Sequence, residues 1–135
     1  MISAEISLQA QFYQIDPMNV VWHGNYVQFF EQARSALLSK IGYNYREMEA
    51  SGFGWPIVDM RVKYVKPITL GQRFVVRATL VEYENRIRID YRVIDEASGA
   101  VLTKAQTTQL AVEIASGEMS FESPAILVER VRALL

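Results

Sequence analysis

From Trp55 onward the chain is almost entirely long segments rich in β-branched residues, and only one long helical pattern, Asn25 to Ile41, is available to cover them. The segments are Trp55–Lys66, Phe74–Glu84, Arg86–Glu96 and Ala100–Ile114, with turn signals at Pro67–Gly71, Glu84-Asn85 and Ala97-Ser98-Gly99. Consecutive strands joined by short turns pair antiparallel. In the third segment Ile87, Ile89, Tyr91 and Val93 alternate with Arg86, Arg88, Asp90 and Arg92, so one face is apolar and the other charged.

Upstream, Glu5 to Gln14 alternates Ile6, Leu8, Ala10 and Phe12 with Ser7, Gln9, Gln11 and Tyr13, the period of a half-buried strand that Asp16-Pro17 ends. In the helical pattern Tyr26, Phe30, Ala33, Leu37 and Ile41 fall on one face, and Val27, Phe29 and Leu38 widen it. Asn25 and Gln28 have the spacing of a capping box, which places the first free backbone N–H groups at His23-Gly24-Asn25-Tyr26; Gly42 suits the C-terminal stop. Tyr45 to Ala50 reads as a short second helix, and Ser123-Pro124 followed by Ala125, Val128, Val131 and Leu135 as a terminal one. The plan is α+β, one helix wrapped by one curved sheet. With 135 residues and no linker, repeat or low-complexity tract, residues 1–135 form a single domain in this reading. So thin a layer leaves sheet edges, and pairing them between copies predicts a homodimer.

Charge and composition exclude several classes. Fourteen Lys and Arg against fifteen Asp and Glu leave a net charge of -1, too little basic surplus for nucleic acid. Residues 55–110, however, hold nine basic and six acidic side chains against three and five in residues 1–54, a bias that suits a small anionic ligand. The absence of cysteine removes disulfides, thiolate zinc sites and cysteine nucleophiles, and leaves the redox compartment open, with the cytoplasm as the default expectation. A single histidine, His23, removes His-rich metal sites. No apolar run approaches the ~18 residues of a membrane span, and MISAEISLQAQFYQID lacks a basic region followed by an apolar one, so neither a span nor a leader is expected.

The segment from Asp16 to Tyr26 puts a carboxylate, the only histidine and a helix N-terminus within eleven residues. Read plainly, Asp16 is a turn former before proline and His23 a polar residue beside a helix cap. Read chemically, the helix start offers unpaired N–H groups and positive dipole to a carbonyl oxygen gaining charge, while the carboxylate attacks or deprotonates water.

Asp16-Pro17, then Val21-Trp22, then Asn25-Tyr26, followed by a helix with Glu31, Ala33 and Arg34, resembles the signature of the 4-hydroxybenzoyl-CoA thioesterase-like family of hotdog-fold acyl-CoA thioesterases. Tyr64-Val65-Lys66-Pro67-Ile68, ending at Gly71, resembles that family's turn between its second and third strands. The resemblance implies a five-stranded antiparallel sheet around the long helix, a homodimer or homotetramer with sites at the subunit boundary, and no metal or redox cofactor. It makes Asp16 the catalytic carboxylate and His23 the residue whose backbone amide polarises the thioester, with Trp22, Asn25 and Tyr26 lining or bracing that turn. The acyl chain enters beside Ile57 and Val58 of the partner chain. Asn19 stands where many relatives have glycine, and Gln72 where an aspartate is frequent.

Strand cations such as Lys63, Lys66, Arg86, Arg88 and Arg92 ordinarily form the solvated side of a sheet. By the resemblance, Arg86, and with it Arg88 and Lys63, meets the phosphates of coenzyme A. Glu31 reads as the partner of Arg34 rather than as a catalytic acid. The expected function is hydrolysis of an acyl-CoA, or of an acyl-carrier-protein thioester. The rivals are a hotdog hydratase or dehydratase, and a non-catalytic acyl-binding subunit.

Overall fold

Five strands form the floor of the molecule, and one helix lies across them. The structure, a computed structural model, describes residues 1–135. The strands are β1 (Ser3–Gln9), β3 (Ile57–Tyr64), β4 (Arg73–Glu82), β5 (Ile87–Asp95) and β6 (Val101–Gln109), all antiparallel in the order β1-β4-β5-β6-β3. β1 and β3 are therefore the open edges. Helix α1 (Tyr26–Ile41) covers one face, and α2 (Tyr45–Ala50) and α3 (Ala125–Arg132) follow the expected positions. No helix is long and apolar enough to cross a membrane.

The periodicities place the core. Ile87, Ile89, Tyr91 and Val93 are fully buried, as are Ala33 and Leu37 of α1. Phe29 meets Phe74 and Phe30 meets Tyr91 at ring separations of 5.0 Å, so the helix is locked to β4 and β5 by aromatic pairs. Gly42 ends α1 in the left-handed region at φ 83°, its N–H returning to the Leu38 carbonyl at 3.0 Å.

Several expectations are corrected. The first strand stops at Gln9, because Gln11 and Gln14 bond reciprocally and fold Phe12–Gln14 into a 3₁₀ turn; Phe12 and Tyr13 are consequently exposed rather than alternating with the core. Val27 is exposed, so the apolar girth of α1 is narrower than its sequence suggests, and a charged residue, Arg34, is buried on it instead. The last long segment breaks at Leu110. Beyond it β7 (Ala111–Glu113) leaves the main sheet and pairs with β2 (Phe53–Gly54) and β8 (Met119–Ser120). In α3 the buried residues are Leu127 and Val131, while Leu135 is exposed.

Candidate active site

The loop holding Asp16 is a miniature hairpin. Ile15 and Val21 form an antiparallel bridge, and the Trp22 N–H donates to the Gln14 carbonyl at 2.9 Å. Within the loop the Asp16 N–H donates to Val20 O at 2.9 Å and the Asn19 N–H to Asp16 O at 3.0 Å. Closing so tight a turn requires positive φ at Asn19, which takes 63° and is the only non-glycine residue to do so. Asparagine is the residue after glycine that best tolerates this region, so the departure from glycine keeps the loop's shape. The Met18 N–H donates to Asp16 Oδ1 at 2.8 Å, which fixes the carboxylate and leaves Oδ2 without a protein partner.

The hairpin delivers the chain directly into the helix start. His23–Asn25 form a 3₁₀ turn ahead of α1, and this corrects the expected capping box: Asn25 is itself helical and makes no cap bond with its side chain. Its Nδ2 donates instead to the Gln14 carbonyl at 2.9 Å, tying the hairpin to the helix. The Asn25 N–H is satisfied by Trp22 O and the Tyr26 N–H by His23 O. The N–H groups of His23 and Gly24 donate to nothing in the protein, so the free donors lie at the predicted place for a different local reason.

Asp16 and His23 line one cleft of about 280 Å³, together with Met18, Val20, Val21, Tyr26, Tyr64, Val65, Lys66 and Pro67. Its walls are mostly apolar and its polar groups few, the pattern of a small-molecule site. Tyr26 is buried, packs edge-on against Tyr64 at 4.9 Å, and lines the cleft. Loss of water holds both phenols above their usual range, so each remains a protonated donor at neutral pH.

Sequence reasoning missed Tyr64 as a site residue. Its hydroxyl donates to the His23 carbonyl at 3.1 Å, fixing the peptide whose N–H is that of Gly24. The signal was present, since Tyr64 opens the motif quoted for the turn, but the contact crosses from a strand to the helix start, which periodicity does not reveal.

Trp22 lies outside the cleft, half exposed over Gly24; a Cβ at Gly24 would sit 2.3 Å from the indole. Gly24→Ala should push the indole away and disturb both free N–H groups, lowering kcat about tenfold. The emission of Trp22 should shift to the red, whereas Trp55, buried and bonded to Tyr43 Oη at 3.1 Å, stays unchanged. A variant with wild-type kcat and emission would show that glycine is not needed there.

The remaining expected residues are dispersed. Ile57 and the exposed, bulged Val58 sit at the end of β3 opposite Tyr64, roughly 20 Å along the strand. Arg86 Nε is held by Glu82 Oε2 at 2.9 Å, and Arg88 Nε is buried without a partner. Both lie beside the Ile57 end. Lys63 is exposed next to Tyr64. Gln72 accepts from Thr69 N at 3.0 Å and donates to Asp95 Oδ1 at 3.0 Å, strapping the β3–β4 turn to the β5–β6 turn. Hydrogen bonds from the Ser98 side chain and then from Gln72 hold the Asp95 carboxyl below its usual range.

A family model described as the thioesterase-like superfamily matches residues 10–130. Among similar proteins is "Putative acyl-CoA thioesterase YneP" of Bacillus subtilis, 28% identical over 106 residues, 78% of this chain and 77% of that one. A solved DHNA-CoA thioesterase from Staphylococcus aureus is 28% identical, with TM-score 0.83 over 99% of this chain and 93% of its own. A 4-hydroxybenzoyl-CoA thioesterase variant solved with 4-hydroxybenzoyl-CoA has TM-score 0.83 over 96% of this chain and 99% of its own; at 17% identity that likeness is one of fold.

Proposed function

Since this chain belongs to the thioesterase-like superfamily and is an acyl-CoA thioesterase, we propose that Asp16 performs the hydrolysis while the N–H groups of His23 and Gly24 receive the thioester carbonyl. The observation that carries this reading is a carboxylate with one open oxygen in the same cleft as a helix start whose first two N–H groups are unpaired. As the carbonyl carbon becomes tetrahedral, its oxygen gains negative charge. Fixed N–H donors and the positive helix end stabilise that charge more than they stabilise the ground state. Asp16 either attacks the carbon, forming an anhydride that water opens, or takes a proton from the attacking water. Both routes end in free acid and coenzyme A thiol.

In this reading the cleft is completed by a second copy. β3 is an open edge of eight residues, and antiparallel pairing of two such edges sets the Ile57 end of one strand beside the Tyr64 end of the other. The partner's Val58 then closes the acyl end of the cleft. Arg86 and Arg88 serve the cleft across the boundary rather than their own. Thiol release from a panel of saturated acyl-CoAs, together with light scattering at micromolar protein, tests the proposal. Release by a species of at least twice 15.4 kDa is expected; a fully active monomer of that mass would remove the shared cleft.

A further inference from the structure

Alternation along β3 puts Met60, Val62 and Tyr64 on one face and Arg61 and Lys63 on the other. Met60 and Val62 are apolar throughout, whereas Tyr64 ends in a hydroxyl that donates to the His23 carbonyl at 3.1 Å. That carbonyl already accepts the Tyr26 N–H, which closes the 3₁₀ turn, so it is satisfied without the phenol. Nor does the strand need this bond to stay docked. The Val21 N–H donates to Ile68 O at 2.8 Å, and the Tyr26 ring packs on the Tyr64 ring at 4.9 Å and 86°. What the hydroxyl adds is a second hold on a single peptide unit.

The unit is the His23–Gly24 peptide, whose N–H donates to nothing in the protein. It is trans, so its C=O and N–H lie antiparallel in one plane, and anchoring the oxygen fixes the line of the N–H. A carbonyl that accepts hydrogen bonds also draws charge along the amide, and linked hydrogen bonds polarise one another. The Gly24 N–H is thereby a stronger donor. Its neighbour differs: the His23 N–H belongs to the peptide whose carbonyl, Trp22 O, accepts only the Asn25 N–H, at 2.9 Å. Of the two free donors at the helix start, the one at Gly24 is backed by two bonds and the one at His23 by one.

We propose that Tyr64 is a positioning residue for the hydrolysis: its hydroxyl, acting through the His23 carbonyl, aims and strengthens the Gly24 N–H that receives the thioester oxygen. The proposal rests on the assignment of the cleft to the thioester. Tyr64 acts through the peptide and on no reacting atom. Because the thioester oxygen gains charge only as the carbon becomes tetrahedral, a fixed and polarised donor favours the transition state over the bound substrate, and the effect falls on kcat rather than on KM.

Two variants test it with an acyl-CoA. Tyr64→Phe keeps the ring against Tyr26 and removes only the hydroxyl. Losing a carbonyl-binding donor outright costs about 10²–10³ in kcat, so loosening one should cost about tenfold, with KM within about twofold of wild type. The second variant is Tyr64→3,5-difluorotyrosine, whose phenol ionises well below the usual value of about 10 and, once ionised, cannot donate. Its kcat, divided by that of wild type, should fall toward the Tyr64→Phe level as pH rises from about 6 to 10. The wild-type phenol, held above its usual range by loss of water, stays a donor. Asp16, His23, Tyr26 and Lys66 share the cleft and Lys63 adjoins it, but all five are common to both proteins and cancel in the ratio. A third measurement needs no turnover. His23 is the only histidine, so ¹³C in histidine carbonyls and ¹⁵N in glycine give one carbonyl–nitrogen correlation, from His23–Gly24, and in Tyr64→Phe its carbonyl resonance should move upfield. An unchanged kcat in Tyr64→Phe, a ratio flat with pH, or an unmoved resonance overturns the proposal. If Tyr64→Phe keeps full kcat while Asp16→Asn is inactive, this proposal falls and the cleft reading stands. A fully active Asp16→Asn would overturn the cleft reading and, with it, the role of Tyr64 in hydrolysis, whatever the resonance does.

Discussion

Asp16→Asn is expected to lower kcat for thiol release by several powers of ten, about a thousandfold or more, in a protein that still folds. The amide keeps the shape of the carboxylate, and its Oδ1 can still accept from the Met18 N–H, so the hairpin survives while charge and basicity are lost. His23→Ala provides the contrast. Its proposed contribution is a backbone N–H, which the substitution leaves in place, so the loss should be roughly tenfold, from a less well braced turn. A hydratase or dehydratase sharing a proton between the two side chains would lose comparable activity in both variants. The measurements are kcat for each variant and circular dichroism to verify folding. Equal, severe losses would remove this division of roles, and a fully active Asp16→Asn would remove the site.

Glu31→Gln should act on stability instead of chemistry. Arg34 is 5% exposed, its Nη2 lies 2.5 Å from Glu31 Oε1, and its Nη1 is buried without a partner. Tyr45 Oη reaches the other Glu31 oxygen at 3.5 Å, linking α1 to α2. Neutralising Glu31 leaves a buried guanidinium without its counter-ion. For a fully buried pair that costs about 3–5 kcal/mol, but the Glu31 side chain is 40% exposed, so water offsets part of it and about 2 kcal/mol is the better figure. Urea unfolding should show a lower midpoint with unchanged slope, and kcat should stay within a few-fold of wild type. Normal stability with collapsed kcat would make Glu31 part of the chemistry.

What the sequence discloses here follows from the range of the forces involved. The alternation of Ile87 through Val93 and the helical spacing of Tyr26 through Ile41 are repeated local signals backed by burial, so those elements and their inward faces were legible. The ends depend on individual hydrogen bonds. Gln11 and Gln14 close on each other and stop β1 early, and Asn25 spends its side chain on Gln14 O rather than on a cap. That Asp16 and His23 line one cleft was legible because one short segment carries both. The contact of Tyr64 with His23 joins residues distant in sequence, and only the fold brings them together.

The miniature hairpin between Gln14 and Trp22 has an evolutionary consequence. It puts the carboxylate proposed to react and the amides proposed to receive the carbonyl on one short stretch of chain, whereas much of the surface proposed to hold the acyl group comes from β3. In this proposal the reacting groups thus sit in one short part of the gene, while part of the substrate's surroundings is encoded in another. Substitutions accumulating along β3 away from Tyr64, whose hydroxyl holds the His23 carbonyl, can retune which thioester is accepted without passing through an inactive ancestor, and a descendant enzyme inherits its mechanism intact while its diet changes.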